Sequence, residues 1–297
     1  MAPGVRVTFL GLGQIGGSIA RRLHDVDDDL ELVAWSPSGA GPRAAMADGI
    51  IDRVAGDPLD AAGGADLVVL AAPATRILEL LPALAGDHGA AADGPGPTLT
   101  DVASTKAAIV AAADGLGLPF VGGHPMAGRE TAGYGAADPA LFVDRPWVVV
   151  PGRASRPVDL ERVEWLVGRC GARAIRLEAG AHDAAVAAVS HLPLVLSAAL
   201  VEAVAASPGA DGGSAIRELA AGGWASMTRL AAGDPAMGAA ILATNAGPTA
   251  SAARRLRDVL DGWLTALEAN GGPDEADLRA RLEAARRDLR GDRSDGR

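Results

Sequence analysis

The chain opens with an apolar run, Val5-Arg-Val-Thr-Phe-Leu10. It passes directly into Gly11-Leu-Gly-Gln-Ile-Gly16 and then into a helical stretch from Ser18 to Leu23. A buried strand, a glycine turn and a helix in immediate succession constrain the fold more than any other feature. Gly11 permits the tight turn, Gly13 lets the backbone approach a pyrophosphate, and Gly16 lets the helix pack on the strand. The helix N-terminus adds unpaired N–H groups and a positive dipole end. The spacing predicts a Rossmann-type dinucleotide site, with Gly11, Leu12, Gly13, Gln14, Ile15 and Gly16 as its contacts.

Further strands are expected at 31–35, at 66–73, where the run is continuously apolar and ends at a proline, and at 98–101, 147–151 and 173–177. A helix that closes at 82–88 and helical stretches at 105–114 and 157–169 separate them. Strand alternating with helix predicts a doubly wound, mostly parallel sheet. Ala72, Pro73 and Asp101 complete the expected cofactor set, together with Ser36 at the end of the second strand. An acidic residue there would mark NAD. The sequence instead reads Ala34-Trp-Ser-Pro37, so Ser36 tolerates NADP, and Arg43 is either a phosphate contact or a solvated helix residue. NAD and NADP both stay open.

From Ala181 the pattern changes. Helical stretches run at 181–206, 214–232, 235–246 and 248–270 without a recurring strand. The expected division is a dinucleotide-binding domain at 1–178 and an all-helical substrate and dimerisation domain at 179–297. Its many small residues suit a homodimer. Leu278, Leu282, Ala285 and Leu289 mark a terminal amphipathic helix, which leaves too few residues for a regulatory domain.

With 297 residues, 49% of them hydrophobic, the chain can fill two cores. A net charge of −10 argues against nucleic acid or an anionic bilayer as a partner. The single cysteine, Cys170, builds neither a disulfide framework nor a thiolate zinc site, which points to the cytoplasm. No signal-like segment stands at the start, and no run approaches the ~20 uninterrupted apolar residues of a membrane span. The five histidines show no ligand spacing, so no metal is expected. Lys106 is the only lysine among 27 basic residues.

Three further segments carry chemistry: Asp101-Val-Ala-Ser-Thr-Lys106, Gly123-His-Pro-Met-Ala-Gly-Arg-Glu130, read as a loop, and Ser190-His-Leu-Pro193. With the glycine turn they resemble the prephenate/arogenate dehydrogenase family of tyrosine biosynthesis over residues 5–265. The resemblance implies an oxidative decarboxylation of a dianionic cyclohexadienyl substrate. Hydride leaves ring C4 for nicotinamide, the C4 hydroxyl loses its proton, and aromatisation expels CO₂. It makes His124 the group that takes that proton or accepts its hydrogen bond, a task that suits imidazole. Ser104 is a hydrogen-bond partner at the same hydroxyl, or a helix N-cap, or both. Glu130 is an acidic residue at the pocket rim or a solvated carboxylate, and His191 is a substrate contact or a structural histidine. Arg229, in Trp224-Ala-Ser-Met-Thr-Arg-Leu230, clamps the side-chain carboxylate or is an exposed helical arginine.

Two positions depart from the family pattern. Leu194 stands where a second histidine is common, and Gly238 where tryptophan is common. The same chemistry on an amino-substituted prephenate is one rival reading. A 3-hydroxyacid dehydrogenase is another, but it needs a lysine base on a helix after the sheet, and Lys106 comes too early. A non-catalytic nucleotide sensor gives His124 no task.

Overall fold

The computed structural model describes residues 4–26, 29–88, 96–128, 131–206, 218–269 and 272–291. The chain divides into two compact units, Met1–Thr249 and Ala250–Arg297. The first is built on an eight-stranded sheet. Its strands are β1 (Arg6–Leu10), β2 (Glu31–Trp35), β3 (Arg53–Val54), β4 (Leu67–Leu70), β5 (Thr98–Asp101), β6 (Phe120–Pro125), β7 (Pro146–Pro151) and β8 (Arg173–Arg176). Their order is β3-β2-β1-β4-β5-β6-β7-β8, and every pairing is parallel except β6 with β7.

Strand alternation builds two apolar layers. Val7 and Phe9 of β1 face one layer, where α1 (Gln14–Val26) contributes Ile19 and Leu23, and α6 (Pro157–Arg169) contributes Val163 and Leu166. Leu10 faces the other, against α3 (Pro58–Ala62), α4 (Ala74–His88) and α5 (Ala107–Gly115). Side chains such as Phe9, Ile19 and Leu23 are fully buried, each contributing roughly 1.5–3 kcal/mol. The remaining helix of this region, α2 (Ala40–Ala47), follows β2. The chain leaves β1 in one direction and β4 in the other, so the glycine turn lies where ligands bind in open α/β sheets.

Two strands differ from expectation. β3 has only two residues, too few for a period to show. β6 takes up Gly122–Pro125, which reads as a loop because it holds two glycines and a proline. The glycines answer to crowding. A Cβ on Gly123 would stand 2.5 Å from the Asp101 carbonyl oxygen, and one on Gly122 would stand 3.1 Å from Lys106 Cδ. His124 is thereby a strand residue, opposite Val148 of β7. The helix expected to close at 82–88 runs from Ala74 to His88 and accommodates Pro82 inside it.

After the sheet come α7 (Ala179–Val186), a π-helical turn (Ala187–His191) and α8 (Leu192–Ala205). Pro193 lacks an N–H, so the regular i→i−4 ladder cannot continue through it, and the widened turn lies just before it. Together these make one continuous helix, Ala179–Ala205, with mean hydropathy 2.0 over its most apolar window. By length and composition it could cross a membrane, contrary to expectation, because His182, Asp183, Ser190 and His191 interrupt the apolar run without lowering the average enough. Only 22% of that window is buried within this chain. Next follow α9 (Gly222–Thr228), a 3₁₀ turn (Arg229–Ala232) and α10 (Pro235–Thr244). The Asp234 carboxylate accepts the Ala236 N–H at 2.9 Å and caps α10. Part of the helix expected at 214–232 lies outside the described residues. The helix α11 (Ala246–Leu267) comes next.

The second unit holds α12 (Glu275–Arg290), capped by Asp274 and ended by Gly291 at φ 72°. Arg281 donates to the Gly262 carbonyl at 2.6 Å and lies 4.6 Å from the Trp263 ring centroid. Leu282 and Leu289 of the apolar stripe are exposed.

Candidate active site

The three glycines of the first turn have three different surroundings. Gly11 sits at φ +104°, and a Cβ there would be 2.3 Å from the Ala71 carbonyl oxygen. A Cβ on Gly16 would be 2.7 Å from the Gly11 oxygen, so this glycine sets the helix–strand distance. At Gly13 a Cβ would meet nothing within 4 Å. Gly13 faces a cavity of about 710 Å³, lined also by Gly11, Leu12, Ser36, Ala72 and Pro73. A second cavity of about 380 Å³ shares Gly13, Ala72 and Pro73 and adds Gln14, Ile15, Ser104, Met237 and Ile241. An open face at Gly13, beside the N-terminus of a 13-residue helix, fits a dinucleotide pyrophosphate. Gln14 also ties this turn to the Thr131 carbonyl at 2.8 Å.

Among the described residues, no free carboxylate lines the cavity beside Ser36 to select NAD. Asp48, an acid on the cavity wall, is engaged by Arg21 at 2.9 Å and by the Tyr134 hydroxyl at 3.1 Å. Arg43 donates to the Ser38 carbonyl at 2.9 Å.

Asp101 departs from its expected role as a cofactor contact. Its carboxylate is fully buried and faces inward. It pairs with the Lys106 ammonium and accepts N–H bonds from Gly123 at 2.9 Å and Ala103 at 3.1 Å. Burial pushes the carboxyl up and the ammonium down, each against the attraction of the other. The pair locks the carboxyl end of β5 to β6, and so fixes the strand position that carries His124.

His124 is held from the helical side. Its Nδ1 is 2.8 Å from Nε2 of His182, and Nδ1 of His182 is 2.8 Å from the Asp183 carboxylate. A carboxylate only accepts, so His182 carries its proton on Nδ1 and presents a bare Nε2. His124 must then donate from Nδ1, which leaves its own Nε2 as an acceptor. His124 lines a polar cavity of about 590 Å³ with Met126, Arg145 and Ser190. Burial, then the charge of Lys106, then His182 and His191, hold the imidazole well below the usual histidine range. It is a neutral base at physiological pH.

Asp183 has a second task. Its two oxygens accept the N–H groups of Lys106 at 2.8 Å and Ala107 at 2.9 Å, capping α5 from another helix. Burial alone would raise its carboxyl, but the bonds from His182 and these amides win and hold it low. Asn245 pins the arrangement, donating to the Asp183 carbonyl at 2.8 Å and to His191 Nδ1 at 3.0 Å. His191 therefore carries its proton on Nε2, which is buried with no partner among the described residues.

Among the other expected site residues, Ser104 lines the smaller cavity and does not cap α5, since Asp183 does. Thr105 links this segment to α10 through Thr244 at 2.9 Å. Arg229 is exposed and opens the 3₁₀ turn that leads into Gly233 and Asp234 on the cavity wall. Glu130 lies outside the described residues. Sequence reasoning missed His182 and Asp183 and gave Asn245, in the family-like stretch after Arg229, no role of its own. The adjacent His-Asp pair inside an otherwise Ala/Val-rich helix was the available signal.

A glycine-turn nucleotide site sharing a sheet edge with a neutral histidine base defines a nicotinamide-dependent dehydrogenase. The family described as prephenate dehydrogenase, nucleotide-binding domain, matches residues 19–176, and prephenate dehydrogenase, dimerization domain, matches residues 178–280. The chain is 30% identical over 269 residues to a prephenate dehydrogenase of Bacillus subtilis (strain 168), covering 88% of this chain and 68% of that one. The solved Synechocystis arogenate dehydrogenase is 28% identical with a TM-score of 0.80, covering 97% of this chain and 99% of that chain. Prephenate dehydrogenase from Aquifex aeolicus, solved with hydroxyphenyl propionate and NAD+, shares the fold at TM-score 0.84 and 23% identity, covering 96% and 98%. The chain belongs to the prephenate dehydrogenase family. It is an NAD(P)-dependent oxidoreductase of oxidative decarboxylation in tyrosine biosynthesis.

Proposed function

We propose that the chain oxidises prephenate, arogenate or both, as a cytoplasmic homodimer with its domain boundary at residues 178 and 179. The observation that carries this reading is the bare Nε2 of His124, fixed by its neighbours and open to a cavity. When bound in the Gly11–Gly16 turn, NAD(P) supplies the hydride acceptor. Nε2 of His124 accepts the hydrogen bond of the ring hydroxyl and then its proton, so the carbonyl forms without a charged oxygen. Ser104 lines the cavity that shares Gly13, not the one that His124 lines, and its hydrogen bond at the same oxygen rests on the family resemblance. The orphaned Nε2–H of His191 offers one buried donor to a substrate oxygen. Arg229 clamps the side-chain carboxylate of a dianionic substrate, and for Glu130 the family resemblance alone implies an acidic rim residue. The exposed apolar face of Ala179–Ala205, in the segment matching a dimerization domain, supports the homodimer.

One contact favours a second substrate reading. The two departures from the family pattern meet: a Cβ on Gly238 would lie 3.6 Å from Leu194 Cδ2. Together they leave out the polar and aromatic side chains common there, and with them the contacts that would hold the ring to the usual substrate. Initial rates at the nicotinamide absorbance band decide. The assay crosses prephenate, arogenate and 4-amino-4-deoxyprephenate with NAD and NADP. The expected result is the highest kcat/KM for prephenate or arogenate. A best rate on the amino analogue would select the second reading, and no turnover of any would refute both.

A further inference from the structure

We infer that His182 is a positioning residue that selects the tautomer of His124 and takes over its second proton during turnover, with the Asp183 carboxylate steadying the imidazolium that results. The inference rests on the acid/base reading of His124.

The geometry is a line of three groups. Asp183, His182 and His124 are joined by two hydrogen bonds of 2.8 Å, and His182 and Asp183 are almost fully buried. The two imidazoles meet edge to face, with ring centroids 5.0 Å apart and planes at 78°, so an in-plane nitrogen of each can engage the other. Asp183 cannot turn away, since its oxygens also hold the Lys106 and Ala107 amides and its carbonyl holds Asn245. The backbone of α7, the N-terminus of α5 and the head of α11 thus fix one carboxylate, which fixes one imidazole, which fixes the next.

Electrostatics give the line a direction. A proton arriving on Nε2 of His124 would leave an imidazolium facing the Lys106 ammonium from β5–α5, with His191 of the π-helical turn nearby. Lys106 is itself paired with Asp101, which softens but does not remove that repulsion. Moving the charge one ring further places it against the Asp183 carboxylate instead. In the step, the substrate O–H bond breaks and Nε2–H of His124 forms. Nδ1–H of His124 breaks and Nε2–H of His182 forms. His124 ends neutral with its proton on Nε2, and His182 ends as an imidazolium hydrogen-bonded to Asp183. No electrons change hands in this transfer. Restoring the start requires the proton to leave to solvent from Nε2 of His124 as the relay reverses.

Two variants separate holding from carrying. In His182→Gln an amide oxygen can still accept from His124 Nδ1 but cannot become a cation. In His182→Leu the acceptor is gone. The expected kcat loss is about 10²-fold for H182L and smaller for H182Q, while KM and cofactor affinity stay within about twofold. The acid limb of the kcat–pH profile should shift in both variants, because each replaces the ring that His124 faces. Long-range ¹H–¹⁵N spectra of the ring nitrogens, recorded without substrate, should show His124 protonated on Nδ1 in the wild type and H182Q, and mixed in H182L. A His124 protonated on Nε2 in the wild type, or kcat in H182L equal to wild type with intact folding, would overturn the inference. An inactive wild type with the expected tautomer would sink the substrate reading while leaving the tautomer control standing.

Discussion

Replacing the only lysine tests what holds the active strand in place. Lys106 and Asp101 are both fully buried, and among the described residues the carboxylate's other donors are the Gly123 and Ala103 amides. In Lys106→Met the stem is approximately conserved in volume and the charge is lost, so Asp101 becomes an uncompensated buried anion. Removing one partner of such a pair costs about 3–5 kcal/mol. At about 2–4 °C per kcal/mol for a chain of this size, the melting temperature should fall by roughly 6–20 °C. The sign with pH follows from Asp101, whose carboxyl burial already pushes up. Without the ammonium it rises further above its unfolded value. A folded state with the higher carboxyl pKa binds more protons than the unfolded one, so its stability drops as pH rises above about 3.9. The deficit relative to wild type should therefore be smaller at pH 5 than at pH 8. A further change, Asp101→Asn in the K106M background, should recover part of the loss, because it removes the stranded charge and keeps the amide contacts. Differential scanning calorimetry and urea titration at both pH values measure this. A deficit under about 1 kcal/mol, or one that grows toward pH 5, would refute the reasoning.

His124→Asn should leave cofactor affinity intact, measured by fluorescence titration, and cut kcat by about 10²–10⁴-fold. In the wild type, burial and neighbouring charge hold His124 below the usual histidine range, so kcat should stay flat down through pH 6.5; an acid limb centred above that value would contradict the assignment. Arg229→Ala should chiefly raise the substrate KM, and an unmoved KM would assign that arginine a structural part. Burial pushes the Cys170 thiol up to about 12, so a maleimide should label native protein at pH 8 very slowly and urea-unfolded protein at once; equal rates would show that the cysteine is not enclosed.

Much of this molecule was legible in the sequence because its signals are local. The strand, glycine turn and helix at residues 5–23 read correctly, since periodicity and the steric demands of Gly11 and Gly16 act within one turn of chain. The change from alternating elements to helices after residue 180 was likewise a matter of pattern. His124 stood out by its chemistry, and the resemblance named its task. The sequence could not show that His124 lies on a strand. Gly122 and Gly123 look like a loop until Lys106 and Asp101, brought in from β5 and the start of α5, are seen to fill the space a side chain would need. Nor could it show what Asp183 does, because its partners lie 76 and 77 residues away in Ala107 and Lys106. The tautomer of a histidine is set by which groups reach its two nitrogens, and those come from separate elements. The amino-acid pattern thus determined the elements and the reactive imidazole. Which of its nitrogens is left bare, and why it stays neutral, were decided only when folding placed a carboxylate, a second imidazole and a buried ammonium around it.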